Sequence, residues 1–228
     1  MHQREDDIYA SAPMRRLLDD QTQVLKPALQ RCFGSHALLL GAAPGDAPPA
    51  LPMLGCWTSL HLHQGHYVGD VRAAVDEPLP FIDEAFDLVM VRHALEVAPL
   101  PAVLLNEAIR VLAPGAILVL TGVHPVGGWS LWLHWYARKK APSLQMPWRL
   151  RRQLDQAGVQ IELAQRIGSI WPGLTGTSRV MAEICGGGYV LVARKRRSQA
   201  TPLRFRPVPV PVPAAGELSP GARRSSVA

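Results

Sequence analysis

Residues 69–97 read GDVRAAVDEPLPFIDEAFDLVMVRHALEV, and residues 104–122 read LLNEAIRVLAPGAILVLTG. Phe86 to Val91 is a short apolar run bounded by charged and small residues, the pattern of a strand buried in a sheet. Leu100 to Leu112 has the 3.6-residue apolar period of an amphipathic helix and is followed by Pro114-Gly115, a stop signal. Ala116 to Val123 is again continuously apolar. Strand, helix and strand in this order predict a βαβ unit in a sheet covered on both faces.

The same alternation extends outward. Upstream, Ala37-Leu38-Leu39-Leu40-Gly41 is a buried strand ending on glycine, and Thr58–Leu62 and Tyr67–Gly69 are weaker strand candidates. Met14, Leu17, Leu18, Val24, Leu25 and Leu29 recur at helical spacing before it, with Pro27 a point where that helix breaks or kinks. Downstream, Pro147 to Gly158 predicts a helix, Val159 to Ala164 a strand, and Tyr189 to Ala193 a last strand.

With 228 residues, 48% of them hydrophobic, the chain has material for one α/β domain with a substantial core. Its net charge of +6 is uneven. Of 24 basic and 18 acidic residues, eight basic and one acidic fall within 194–228, so 16 and 17 precede them. The basicity belongs mainly to this C-terminal stretch, whose end, RPVPVPVPAAGELSPGARRSSVA, is rich in prolines and small residues that predict a disordered, partly polyproline II segment. The expected organisation is an N-terminal helical segment over 1–35, a domain over 36–197 and a tail over 198–228. Cys32, Cys56 and Cys185 are scattered, without CxxC spacing, which argues against a disulfide framework or zinc site and fits a cytoplasmic protein. No segment has the apolar length of a membrane span.

The ordered motifs in the quoted stretches resemble the small-molecule, "type 11" class I methyltransferases: an acid after the third strand, then LPF, FDLV, a histidine closing the fourth strand, RVL, and PG before the fifth. VHPVGGWSLWLHW at 123–135 and GGGYVLVARKR at 186–196 are similar to stretches of a bacterial subgroup. The resemblance implies a doubly wound, mostly parallel, seven-stranded Rossmann-like sheet that binds S-adenosylmethionine. It implies that Gly41, Ala43 and Gly45 line the methionine and ribose side of the cofactor through their backbone. It places Asp70 at the adenine amino group and Val71 at the adenine edge. Arg92 and His93 fall at the methionine end, where Arg92 offers a guanidinium to the cofactor's carboxylate. The Gly41–Asp46 turn is expected to open a helix whose N-terminus faces the ligand.

The pattern departs from the family in two places. The second strand usually ends on an acid that binds the ribose hydroxyls, and the matching residues here are Ser59-Leu60-His61-Leu62-His63-Gln64-Gly65. Ala42, Ala43 and Pro44 also stand where a more glycine-rich motif is usual. His61 and His63 share a strand face, but with no carboxylate or cysteine nearby they do not predict a metal site.

Methyl transfer from a sulfonium requires chiefly alignment, so no side chain is singled out as indispensable. His124, just past the fifth strand, and His93 are the best-placed bases for an acceptor that must lose a proton. Trp129, Trp132, Leu133 and Tyr136 form one helical stripe running into Arg138-Lys139-Lys140. That segment reads as a packing helix, a lid over a small-molecule or lipid-like substrate, or a helix at a membrane surface. The basic tail allows contact with nucleic acid or anionic membrane. Two functions remain open: methyl transfer to an unidentified acceptor, and a non-catalytic binding or scaffold role with eroded cofactor motifs.

Overall fold

The computed structural model describes residues 8–44, 46–137, 142–174 and 178–197. Gly45, the basic residues 138–140 and the tail over 198–228 lie outside the described residues.

Helix α1 spans Ala12–Leu29 and runs through Pro27, which sits in its last turn and does not break it. Strands β1 (Gly34–Gly41), β2 (Leu54–His63), β3 (His66–Gly69) and β4 (Ala73–Ala74) follow. Then come β5 (Phe86–Arg92), α2 (Ala94–Val97), α3 (Pro101–Val111) and β6 (Leu112–Val123). The chain continues through α4 (Gly128–Tyr136), α5 (Pro147–Gln156), β7 (Val159–Ile167), α6 (Arg179–Cys185) and β8 (Gly188–Lys195).

One eight-stranded sheet has the order β4-β3-β2-β1-β5-β6-β8-β7. Strands β2, β1, β5 and β6 are parallel neighbours, while β3 and β4 at one side, and β8 and β7 at the other, join antiparallel. The Rossmann-like α/β class is as expected, but there are eight strands rather than seven.

The extra strand is β4, the two-residue Ala73–Ala74 paired with His66 and Tyr67 of β3. The direction of β3 is set by the turn at Gln64-Gly65. Both residues have positive φ, 48° and 80°, as a two-residue hairpin turn of matching twist requires, so β3 folds straight back on β2 without a crossover helix. A second difference follows β1. No helix occurs in residues 42–44 or 46–53; Pro44, Pro48, Pro49 and Pro52 each remove a backbone donor and oppose helix propagation there. The helix expected after the Gly41–Asp46 turn is therefore absent from the described residues.

Continuous apolar runs make the centre of the sheet dry. Leu38, Val89 and Leu118 on adjoining strands have no exposed area, and Leu104, Leu105, Leu150 and Leu154 bring α3 and α5 onto that face. Leu25 and Leu29 pack α1 onto the other face against Leu39, Met90 and Val119. Each such leucine contributes about 1.5–3 kcal/mol on full burial.

The LPF and RVL motifs meet in a clamp. Arg110 on α3 donates to Leu79 O at 3.0 Å and Phe81 O at 2.9 Å, and Glu107 accepts from Leu79 N at 2.8 Å. Arg110 also pairs with Glu107 at 2.8 Å. The loop before β5 is thereby fixed to the helix after it.

Candidate functional site

Parallel pairing sets Gly41 of β1 level with His61 of β2, and places Leu40 opposite Val91, one residue before Arg92. The carboxyl ends of three strands therefore meet at one point, where an open α/β sheet leaves its crevice. Ala42 N donates to Arg92 O at 3.1 Å, and an isolated antiparallel bridge joins Gly41 to His93. Beyond them the chain turns tightly, with Asp46 N donating to Ala43 O at 3.4 Å.

Asp46 closes this turn. Its side chain lies over Gly41 so closely that a Cβ there would fall 2.7 Å from Oδ2, which accounts for glycine at position 41. Arg92 Nη1 lies 3.7 Å from Asp46 Oδ1 and 3.5 Å from Ala47 O; the two charged side chains are 10% and 14% exposed. Burial, followed by His63, lowers the His61 pKa, while the Asp46 carboxylate acts in the opposite direction. A carboxylate, an imidazole and a guanidinium thus face one glycine turn.

His93 occupies a left-handed backbone conformation, φ 54°, at the N-cap of α2, and its side chain is fully buried. Its Nδ1 lies 3.1 Å from both oxygens of Glu96, and its Nε2 lies 2.9 Å from Gln21 Oε1. Tyr9 donates to Glu96 at 3.0 Å, and Val123 N donates to the same carboxylate through a short bond. Gln21 Nε2 donates to Gly122 O and Tyr189 O. The ring is ordered by α1 on one side and α2 on the other, beneath a layer containing Met14, Leu17, Ala42 and Ala43.

Asp70 is elsewhere. Because β3 runs antiparallel, Asp70 lies alongside Ser59, which is level with Leu39, two residues short of Gly41. Asp70 N donates to Ser59 O at 3.1 Å, and its Oδ2 accepts from Ser59 N at 2.7 Å. Val71 beside it packs against the core. The structure brings Gly41, Ala43, Arg92 and His93 together, and it holds Asp70 and Val71 apart from them. Gly45 lies outside the described residues.

The suggested substrate residues also separate. His124 accepts from Val126 N at 3.1 Å and borders a cavity of about 580 Å³ with Trp148, Arg166 and Tyr189. Burial lowers its pKa, and Arg166 lowers it further. Trp129 is buried and donates to Ser169 O at 2.8 Å, anchoring α4 to the loop after β7. Trp132 is half-buried, edge-on to Trp129 with centroids 5.7 Å apart. Sequence reasoning missed Tyr9, Gln21, Asp46 and Glu96. Gln21 had a signal, being polar within the stripe Met14, Leu17 and Leu25; Glu96 stands three residues after His93, a helical neighbour spacing.

A family model described as a methyltransferase domain matches residues 53–120. Among solved structures, a protein of Bacillus halodurans C-125 assigned as a methyltransferase is 18% identical, with a TM-score of 0.54 over 78% of this chain and 99% of that one. A SAM-dependent methyltransferase from Archaeoglobus fulgidus is 15% identical, with a TM-score of 0.51 over 79% and 97%. The chain has the class I methyltransferase fold. Its segment from residue 53 to 120 is similar to the methyltransferase domain in sequence as well. No curated protein matches the chain.

Proposed function

We propose that the chain binds S-adenosylmethionine at the carboxyl ends of β1, β2 and β5 and transfers its methyl group to a small acceptor. The observation that supports this reading is the meeting of Asp46 and Arg92 over the Gly41 turn, in a chain whose residues 53–120 match the methyltransferase domain. The donor set suits the methionine and ribose ends of that cofactor. Arg92 offers a guanidinium to a carboxylate, and Asp46, with His61 beside it, offers the acidic acceptor for ribose hydroxyls that the end of β2 lacks. The cofactor supplies a methyl group on a sulfonium; this chain's residues bind and orient it. The scattered positions of Cys32, Cys56 and Cys185, without CxxC spacing, support a reducing, cytoplasmic setting.

A second reading, a binding or scaffold protein without methyl transfer, rests on the engagement of one Asp70 carboxylate oxygen by Ser59 N. Titration calorimetry with S-adenosylmethionine and S-adenosylhomocysteine, on the wild type and Arg92→Gln, separates the two. Micromolar binding weakened at least about tenfold by Arg92→Gln supports the enzyme, since a lost charge-assisted bond is worth roughly 1.5–3 kcal/mol. No binding of either ligand up to about 1 mM, or roughly −4 kcal/mol, assigns the scaffold role.

A further inference from the structure

Eleven of the sixteen large apolar side chains exposed among the described residues lie between Val126 and Ile184, on the elements surrounding the carboxyl ends of β6 and β7. On α4, Trp129 and Leu133 point into the core while Leu131 and Trp135 are 67% and 64% exposed. The loop after β7 presents Trp171 and Leu174. Helix α6 is apolar on its outer side, with Val180 at 66% and Ile184 at 61%. Scattered exposed leucines need no explanation, but apolar surface concentrated on adjoining elements does.

The elements form one rim. Trp129 Nε1 donates to Ser169 O at 2.8 Å, tying α4 to the loop after β7, and a Cβ on Gly128 would collide with the Trp171 indole. Trp129, Leu174 and Ala182 border the same cavity, so α4, the loop and α6 stand side by side. Arg166 extends the tie, donating to Gly186 O at 2.9 Å and Val126 O at 3.3 Å. Trp148 at the start of α5 borders the neighbouring cavity with Glu183 of α6.

Charge identifies the occupant. Trp148 is followed on α5 by Arg149, Arg151 and Arg152, all exposed, and the Arg149 guanidinium lies 5.3 Å from the centre of the Trp148 ring. The described acids on these helices are Asp155 near the end of α5 and Glu183 on α6, which accepts from Gln165 at 3.1 Å, against three arginines on α5. Indoles suit the boundary between headgroups and acyl chains, and arginines beside them are attracted by anionic headgroups. No helix among the described residues is long and apolar enough to cross a membrane. We infer that this rim docks the protein onto an anionic membrane surface, with Trp135, Trp171 and Ile184 inserting at the interface and the α5 arginines contacting lipid phosphates. The inference stands whether or not the β1–β5 crevice holds a cofactor.

The test is sedimentation of the full chain with vesicles of phosphatidylcholine alone and of phosphatidylcholine containing about one-third phosphatidylglycerol. Binding is expected to the anionic vesicles, at least about tenfold weaker to the neutral ones, and to fall with added salt. The combined variant Trp135→Ser, Trp171→Ser, Ile184→Ser should lose at least about tenfold, and Arg149→Glu with Arg152→Glu should lose the preference for anionic lipid. On the wild type, brominated acyl chains should quench tryptophan fluorescence, a readout independent of any variant's folding. Three results overturn the proposal: no sedimentation with either vesicle, sedimentation without quenching, or anionic-vesicle binding unchanged in the triple variant, which would place the contact in the basic tail. Binding of single-stranded RNA with no binding of vesicles also overturns it.

Discussion

Gln21 on α1 and His93 at the end of β5, 72 residues apart, are joined by a 2.9 Å bond between Oε1 and Nε2. The same amide donates to Gly122 O and Tyr189 O, at 3.2 and 3.3 Å, so one side chain ties α1 to β5, β6 and β8. Gln21→Leu leaves two carbonyls and an imidazole nitrogen without these partners, in a site with almost no solvent access. The expected loss is about 2–3 kcal/mol, read as a lower urea midpoint with an unchanged slope. An unchanged midpoint would show that this bond set does not stabilise the fold.

Asp70 and Arg92 should behave differently in ligand binding. Asp70→Asn weakens the attachment of β3 to β2 at Ser59 and should lower thermal stability by about 1 kcal/mol. It should leave S-adenosylhomocysteine affinity within about threefold of wild type, an effect below 1 kcal/mol, whereas Arg92→Gln should cost at least about tenfold. Calorimetry on the two variants together makes the comparison; a larger loss from Asp70→Asn would mean that β3 changes course when ligand binds.

Glu107 predicts acid sensitivity. Its hydrogen bond with Arg110, reinforced by the bond from Leu79 N, holds its pKa below the ordinary glutamate value of 4.5. A carboxylate with a depressed native pKa stabilises the fold above its unfolded pKa, and that stability is lost as pH falls through the native value. Glu107→Gln should reduce stability at pH 7 by about 1 kcal/mol and flatten the loss below about pH 4.5. Urea denaturation of both proteins from neutral pH to pH 3 gives the two curves; parallel curves would refute the assignment.

His124 works through the neutral ring. Burial and Arg166 hold its pKa below the ordinary 6.5. The unfolded chain therefore takes up the proton first as pH falls, and stability declines from near 6.5 down to the native pKa. His124→Asn, which keeps an acceptor for Val126 N, should make stability less pH-dependent across that window. An NMR titration of the ring should give a midpoint below 6.5, and one above it would remove the basis of the prediction.

Gly187 tests packing. A Cβ at this position would overlap the Trp129 indole, and its neighbours Gly186 and Gly188 are also close against other groups. Gly187→Ala should cost about 1–3 kcal/mol by overpacking, with displacement of α4 visible as a change in near-ultraviolet circular dichroism.

Much of the sheet was legible because burial on both faces writes itself as uninterrupted apolar sequence. Leu38–Leu40, Phe86–Val91, Ile117–Leu120 and Tyr189–Val192 all lie in strands. Strand direction is not written that way. Tyr67 and Val68 read equally well as a parallel or antiparallel strand, and Gln-Gly is a less specific hairpin signal than Asn-Gly, so the reversal that sets Asp70 beside Ser59 left little trace. The missing helix after β1 was signalled, since Pro44, Pro48, Pro49 and Pro52 all oppose one. At the site, Gly41 and Arg92 are adjacent because parallel register demands it. The roles of Asp46 and Gln21 depend on side-chain directions that spacing alone does not determine.

The buried amide of Gln21 also bears on how the molecule is made. Helix α1 precedes every strand of the sheet, yet its ties reach His93, Gly122 and Tyr189, the last at the beginning of β8. Until that strand has been synthesised, the apolar side of α1 lacks part of its native seat. Such dependence of α1 on β8 raises the contact order of the domain and is expected to slow its folding.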